Sequence, residues 1–267
     1  MLIRPTVAVP RPGAAPRPSA LVAAVFLLFT FVALPGPRGA GAQESAASAA
    51  PVLVELFTSQ GCSSCPPADA LLGELAGRAD VIALSLHVDY WDYIGWKDPY
   101  GSPMNTDRQR RYAEALNLPY VFTPQIIVDG RANVVGSRRD EVLAEIDNAA
   151  GRAKTIEIQM LTEGGGKVVI PAGHAPDAGA TVWLAVYDRN HETEVKRGEN
   201  AGRTLRNANV VRSFERIGTW TGERIEIPLD LVGAAARGRD GCAVIVQQGR
   251  TGPVLAAAAM NLNSLDR

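Results

Sequence analysis

Two cysteines separated by two serines, Cys62-Ser63-Ser64-Cys65, are the residues of this chain best placed to do chemistry. They stand between an apolar run, Val52 to Phe57, and a segment of helical spacing that begins at Pro66. A loop-to-helix junction aims free backbone N–H groups and a positive dipole end at the first sulfur. That favours thiolate, the attacking species. Two intervening residues let the second sulfur reach back and close a small ring. The spacing fits reversible disulfide chemistry, in which Cys62 attacks and Cys65 resolves the mixed disulfide. Pro66 follows at once, preset for the first helical turn. Two other readings of the pair stay open. It is half of a soft-metal site, or it is an inert staple. A structural zinc needs a second pair of soft ligands, and only Cys242 and three histidines remain. Copper(I) would take Cys62 and Cys65, with His87 as a candidate third ligand.

His87 and Asp89 close a second apolar run, Val81 to Val88. In a parallel strand–helix–strand unit both strands end on the same side, which puts these two residues on the side of the cysteines. They are a proton relay or metal ligands on one reading, and a packed histidine with a loop anchor on the other. Trp91, Tyr93 and Trp96 are dense for a chain with 6% aromatic residues. They form a lid or docking surface beside the disulfide, or the packed interior of a long loop. Cys242 lies in an apolar strand and reads as a buried, inert thiol.

The elements around these residues change character once. From 51 to 151, strand and helix patterns alternate. Val52 to Phe57, the helical stripe Ala68-Leu71-Leu72-Leu75, and Val81 to Val88 make a βαβ unit with a parallel strand pair. Asn105 or Thr106 caps a helix that stops before Pro119. Gln125 to Val128 is a strand, Asp129-Gly130 is a hairpin turn signal, and Ala132 to Val135 returns. Ser137 opens a further amphipathic helix. From 152 to 267 the helical signal fades and six or seven short strands follow, with Asp188 to His191 read as a turn. This pattern predicts an antiparallel, sandwich-like all-β domain.

The first 42 residues read as a signal peptide. Arg4, Arg11 and Arg17 precede an apolar run of 14 residues, Leu21 to Leu34, and Ala40-Gly41-Ala42 supplies a small-x-small cleavage site. Residues 43–50 read as a flexible lead-in. Removal of four arginines would leave 27 − 4 = 23 basic residues against 28 acidic ones. The expected mature protein is mildly acidic, exported to a periplasm or secreted, and without a membrane span. Its formal net charge of -1 before processing argues against a nucleic-acid partner. No cofactor is expected, and the expected partners are protein thiols and disulfides. Nothing in the sequence sets an oligomeric state.

The run VLVELF, the CxxC helix and Thr123-Pro124 followed by QIIVDGRANVVG resemble the thioredoxin superfamily. That resemblance implies an α/β thioredoxin-like domain ahead of the all-β one. It implies a cis proline, Pro124 after Thr123, opening the third core strand and facing the disulfide. It also places Glu55 where thioredoxin keeps a buried acid behind the second cysteine. The apolar neighbours Val54 and Leu56 would then raise its pKa into a proton-shuttling range. Gly61, Ser63-Ser64 and Pro66 depart from the thioredoxin pattern, so neither its potential nor its partners carry over. More narrowly, FTSQGCSSCPPAD, LHVDYWDYIGWKDPYGSP, FTPQIIVDG and the later VKRGENAGRTL and NVVRSF are similar to an exported bacterial family catalogued as domain of unknown function 1223.

Overall fold

The computed structural model describes residues 50–265. The apolar run, the cleavage site and residues 43–49 of the lead-in lie outside the described residues.

Strands β1 (Val52–Thr58) and β2 (Val81–His87) are built from aliphatic and β-branched residues and are buried along their whole length. They pair in parallel, with Val52 opposite Val81 and Thr58 opposite His87. Helix α1 (Pro66–Leu75) crosses between them on the stripe Ala68, Asp69, Leu71, Leu72 and Leu75. Helix α2 (Pro103–Ala115) is capped by Ser102, whose side chain accepts from the Met104 amide. The cap lies ahead of the expected Asn105 or Thr106 because Pro103 suits the first turn, where no amide is needed. Strand β3 (Gln125–Val128) runs antiparallel to β1 and turns into β4 (Ala132–Val135). Asp129 and Gly130 sit at φ 49° and 67°, as a type I′ turn requires. Helix α3 (Arg139–Ala150) follows.

The second half adds β5 (Gln159–Leu161), β6 (Lys167–Ile170), β7 (Ala180–Glu194), β8 (Thr204–Trp220), β9 (Ile225–Pro228), the short helix α4 (Leu231–Ala236), β10 (Gly241–Gln248) and β11 (Val254–Asn261). Here the structure corrects the expected fold class. An α/β thioredoxin-like domain followed by an all-β sandwich is not what forms. One mixed eight-stranded sheet, ordered β11-β10-β7-β8-β2-β1-β3-β4, runs through both halves, and β5-β6-β9 make a separate small sheet. The join is parallel, at Ser85 of β2 opposite Val210 of β8. Its physical reason is visible in β2, which is buried on both faces and would otherwise leave an unpaired backbone edge. Asn209 reinforces the join by donating from Nδ2 to the Ala83 carbonyl at 2.8 Å.

The sandwich strands were also expected to be short. Instead β7 and β8 pair from Ala180–Trp220 to Glu194–Thr204, with the register shifting after Val182 and after Val186. Asp188 to His191, expected as a turn, lies inside β7. Its polar character reflects position: β10 accompanies β7 only as far as Tyr187. Beyond that the hairpin runs past β10, and polar side chains on it are paired. Asp188, for example, accepts from Arg239 at 2.7 Å with both oxygens.

Packing follows the alternation of the strands. On one sheet face Leu53, Phe57, Leu84 and Leu86 join Tyr112 of α2 and continue into Trp183, Phe214 and Ile245, a core shared by both halves. On the other face, Val54, Leu56 and Ile126 are covered by α1 and α3. Further along that face Val182, Cys242 and Val244 are covered by the small sheet.

Candidate functional site

Cys62 and Cys65 are bonded to each other, with their Cα atoms 5.5 Å apart. Cys65 caps α1, and the Cys65 amide donates to the Cys62 carbonyl at 3.3 Å. The expectation for a loop-to-helix junction is met, but exposure is not what such a loop would have in isolation. Cys62 is 2% exposed and Cys65 is fully buried. Ser63 and Ser64 between them are exposed. The Ser64 hydroxyl lies 3.3 Å from the Cys62 sulfur and 3.5 Å from the Thr123 carbonyl oxygen, to which it donates.

Thr123 and Pro124 stand beside the pair, and the peptide bond joining them is cis. The Thr123 hydroxyl accepts from Trp91 Nε1 at 2.8 Å, which ties the aromatic loop to this wall. A side chain on Gly136 would meet Ala68 Cβ at 3.0 Å and Pro124 Cβ at 3.3 Å, so the glycine is what lets Pro124 pack near the start of α1. Tyr93 of the same loop is 81% exposed and stacks on Trp91.

Beneath the disulfide lies a buried polar cluster that sequence reasoning only half found. His87 is fully buried, and its Nδ1 lies 2.7 Å from Asp98 Oδ2. Asp69, one helical turn after Cys65, accepts from the Thr58 hydroxyl at 2.9 Å. Burial pushes the Asp69 carboxyl up to about 6, against weaker opposing pulls from His87 and Thr58. Burial works against a His87 cation, but the Asp98 carboxylate, with Asp69 behind it, outweighs that and raises its proton affinity. Burial would raise Asp98 too; His87 and the amides of Gln60 and Tyr100 hold it below the usual carboxylate range. Asp69 had a readable signal, an acid within the buried stripe of α1. Asp98 had none beyond the WKDPYG segment that carries it.

Glu55 is fully buried but is not brought to the cysteines. It shares the face of β1 that holds Leu53 and Phe57, whereas Val54 and Leu56 face α1. Its Oε1 accepts from Arg108 Nε at 2.6 Å and its Oε2 from the Tyr112 hydroxyl. Arg108 also donates to Gln247 Oε1 at 3.1 Å, so this network clamps the two halves together. His87 is not brought into a metal set either. Among the described residues no three His, Cys, Asp or Glu side chains are grouped closely enough to hold a metal ion. Cys242 is fully buried, and burial pushes its thiol up to about 12.

The site has a ceiling that nothing local announces. Residues 195–203, the tip of the β7–β8 hairpin, reach the CxxC loop. Asn200 Nδ2 donates to the carbonyls of Gln60 and Cys62, at 3.0 and 2.9 Å. Glu199 Oε2 accepts from the Ser63 amide at 3.2 Å. These are residues of the VKRGENAGRTL segment, far from the cysteines in sequence.

The model of the family described as protein of unknown function, DUF1223, matches residues 53–247, which takes in the CxxC loop, Pro124 and the hairpin tip together. The chain belongs to the DUF1223 family. Its site is thus one assembled by a family-wide span of sequence rather than by the first half alone. A crystal structure of a protein from Agrobacterium tumefaciens is similar at 32% identity and a TM-score of 0.70, covering 80% of this chain and 96% of that one. HBP35 of Porphyromonas gingivalis shares the fold at a TM-score of 0.53, with 13% identity, 80% of this chain and 76% of that chain covered. No curated protein matches this DUF1223 chain. Among the described residues no helix is long and apolar enough to cross a membrane.

Proposed function

We propose that this DUF1223 protein is a thiol–disulfide oxidoreductase acting through Cys62 and Cys65 on the thiols or disulfides of other proteins. The observation that carries the reading is the disulfide at the start of α1 with the buried Asp69 carboxyl one turn below Cys65. A thiolate of the partner attacks Cys62 Sγ, the bond to Cys65 breaks, and its electron pair leaves on Cys65. A carboxyl whose proton affinity sits near neutrality can hold or release the proton that this leaving thiolate takes up. The partner's second thiolate then resolves the mixed disulfide and leaves Cys62 reduced. The pair has gained two electrons, with one proton on Cys65 and Cys62 left as thiolate, and the partner departs as a disulfide. Run backwards, the same steps oxidise a dithiol. An N-terminal signal that sends the chain to an oxidising compartment fits this chemistry.

The burial of both sulfurs favours a second reading, in which the disulfide only staples the loop and the long hairpin grips a partner. Redox titration with mass detection separates the two. An exchanging pair should titrate above roughly −300 mV, in the range of catalytic disulfides, and Cys65→Ser should trap mixed-disulfide partners through Cys62. A potential well below that value with nothing trapped would leave the staple.

A further inference from the structure

We propose that the tip of the β7–β8 hairpin is a cap that Asn200 and Glu199 hold over the CxxC loop, and that a dithiol partner reaches Cys62 only when the cap lifts. The inference rests on the exchange reading above and adds two positioning residues to it. Attack on a disulfide runs along the S–S axis, so a protein thiolate needs open space beyond the Cys62 sulfur. At 2% exposure that space does not exist. What holds the hairpin tip against the loop that carries Cys62 is polar and specific. Asn200 is completely buried, donates to two carbonyls of the CxxC loop, and is itself held by Arg203, whose Nη1 donates to its Oδ1 at 2.9 Å. Trp96 reinforces the fit, with its Nε1 donating to Gln60 Oε1 at 3.1 Å and its Cβ against Gly198.

The tip is built to open. Apart from Val195, it contributes no residue to the hydrophobic clusters or to the buried apolar core, and Lys196, Arg197, Glu199, Ala201, Gly202 and Arg203 are exposed. A segment held by a few hydrogen bonds rather than by apolar burial opens well below the cost of global unfolding. Glu199 adds a redox sense to this opening. In the oxidised protein its carboxylate accepts from the Ser63 amide. Once the Cys62–Cys65 bond is broken by a dithiol, as balanced above, a Cys62 thiolate in the same short loop competes for that amide and repels the carboxylate. Reduction therefore loosens the contact that closed the cap.

The test uses the full oxidised chain, dithiothreitol as the reductant, alkylation to quench, and mass detection of the reduced fraction. Wild type should reach a limiting rate at high dithiothreitol, set by cap opening. Asn200→Ala should be reduced about tenfold faster, the factor that the loss of one to two hydrogen bonds implies. Glu199→Gln, an exposed change that leaves folding intact, should be about two- to threefold faster, and its reduced Cys62 should be alkylated faster at pH 7. Both variants reducing at the wild-type rate, with no limiting rate in wild type, would overturn the cap while the exchange reading stood. Faster variants whose pair glutathione disulfide cannot reoxidise, and whose Cys65→Ser form traps nothing, would keep the cap and overturn exchange.

Discussion

Two carboxylates are buried on opposite faces of the same sheet, and they are not alike. Glu55 has both oxygens committed, one to Arg108 and one to Tyr112. Asp69 has a neutral hydroxyl, Thr58, as its hydrogen-bond donor, and its proton affinity has risen to about 6. Asn207 Nδ2 lies near enough to lower that affinity slightly but makes no hydrogen bond. A buried acid with a cation beside it is a clamp, since the charge is met on site. A buried acid whose nearby histidine is already paired with another carboxylate, as His87 is with Asp98, is left to titrate. Of the two, the acid that resemblance pointed to is the clamp, and the one in the CxxC helix is the one whose proton affinity is raised.

The comparison breaks most visibly at Arg108. Arg108→Met strands Glu55 in the core and should cost about 3–5 kcal/mol, read as a lower urea midpoint. A loss under about 1 kcal/mol would mean that water reaches Glu55 and that the two acids are less different than their burial says. The next largest effect is at Asp69. Its folded value of about 6 lies above the ordinary 3.8, so the native state holds the proton more tightly than the unfolded chain. The stability this gives is complete below pH 3.8 and is lost as pH rises to about 6. Asp69→Asn should therefore gain about 2–3 kcal/mol relative to wild type between pH 4 and pH 8, in paired urea titrations. A pH-independent difference would remove Asp69 from the proton chemistry. The smallest effect sharpens the same point. Thr58→Val removes the hydroxyl that donates to the Asp69 carboxylate, and should cost about 1 kcal/mol at pH 8 and much less at pH 4.

The elements whose signals are local were legible. The CxxC loop, the helix behind Pro66 and the Asp129-Gly130 turn each rest on spacing within a dozen or so residues, and the parallel pair β1–β2 on one βαβ unit, Val52 to His87. What escaped was pairing at a distance. Nothing in VIALSLH names β8 as its neighbour, although a strand apolar at nearly every position argues for cover on both faces and company on both edges. The same holds for the site. Cys62, Cys65 and the Thr123-Pro124 wall were readable. Asn200 and Glu199 sit in an ordinary polar tip whose role exists only once the hairpin arches back. Glu55 was placed by analogy along the chain, but alternation along β1 decides which face a residue serves, and a resemblance does not count faces.

The hairpin also sets an order of events in the making of the protein. Asn200 lies 138 positions after Cys62, and Val210 of β8 lies 210 − 85 = 125 positions after its partner Ser85. A chain made N-terminus first holds both cysteines for 200 − 65 = 135 further residues before Asn200 at the tip of the arm is added. During that interval the pair is open to solution, and the outer edge of β2 is bare. When β8 docks, one movement meets the edge at Ser85 and seats the tip on the CxxC loop. The hairpin thus works as a clock, separating a time when the CxxC loop lies open from a time when the arm is seated on it.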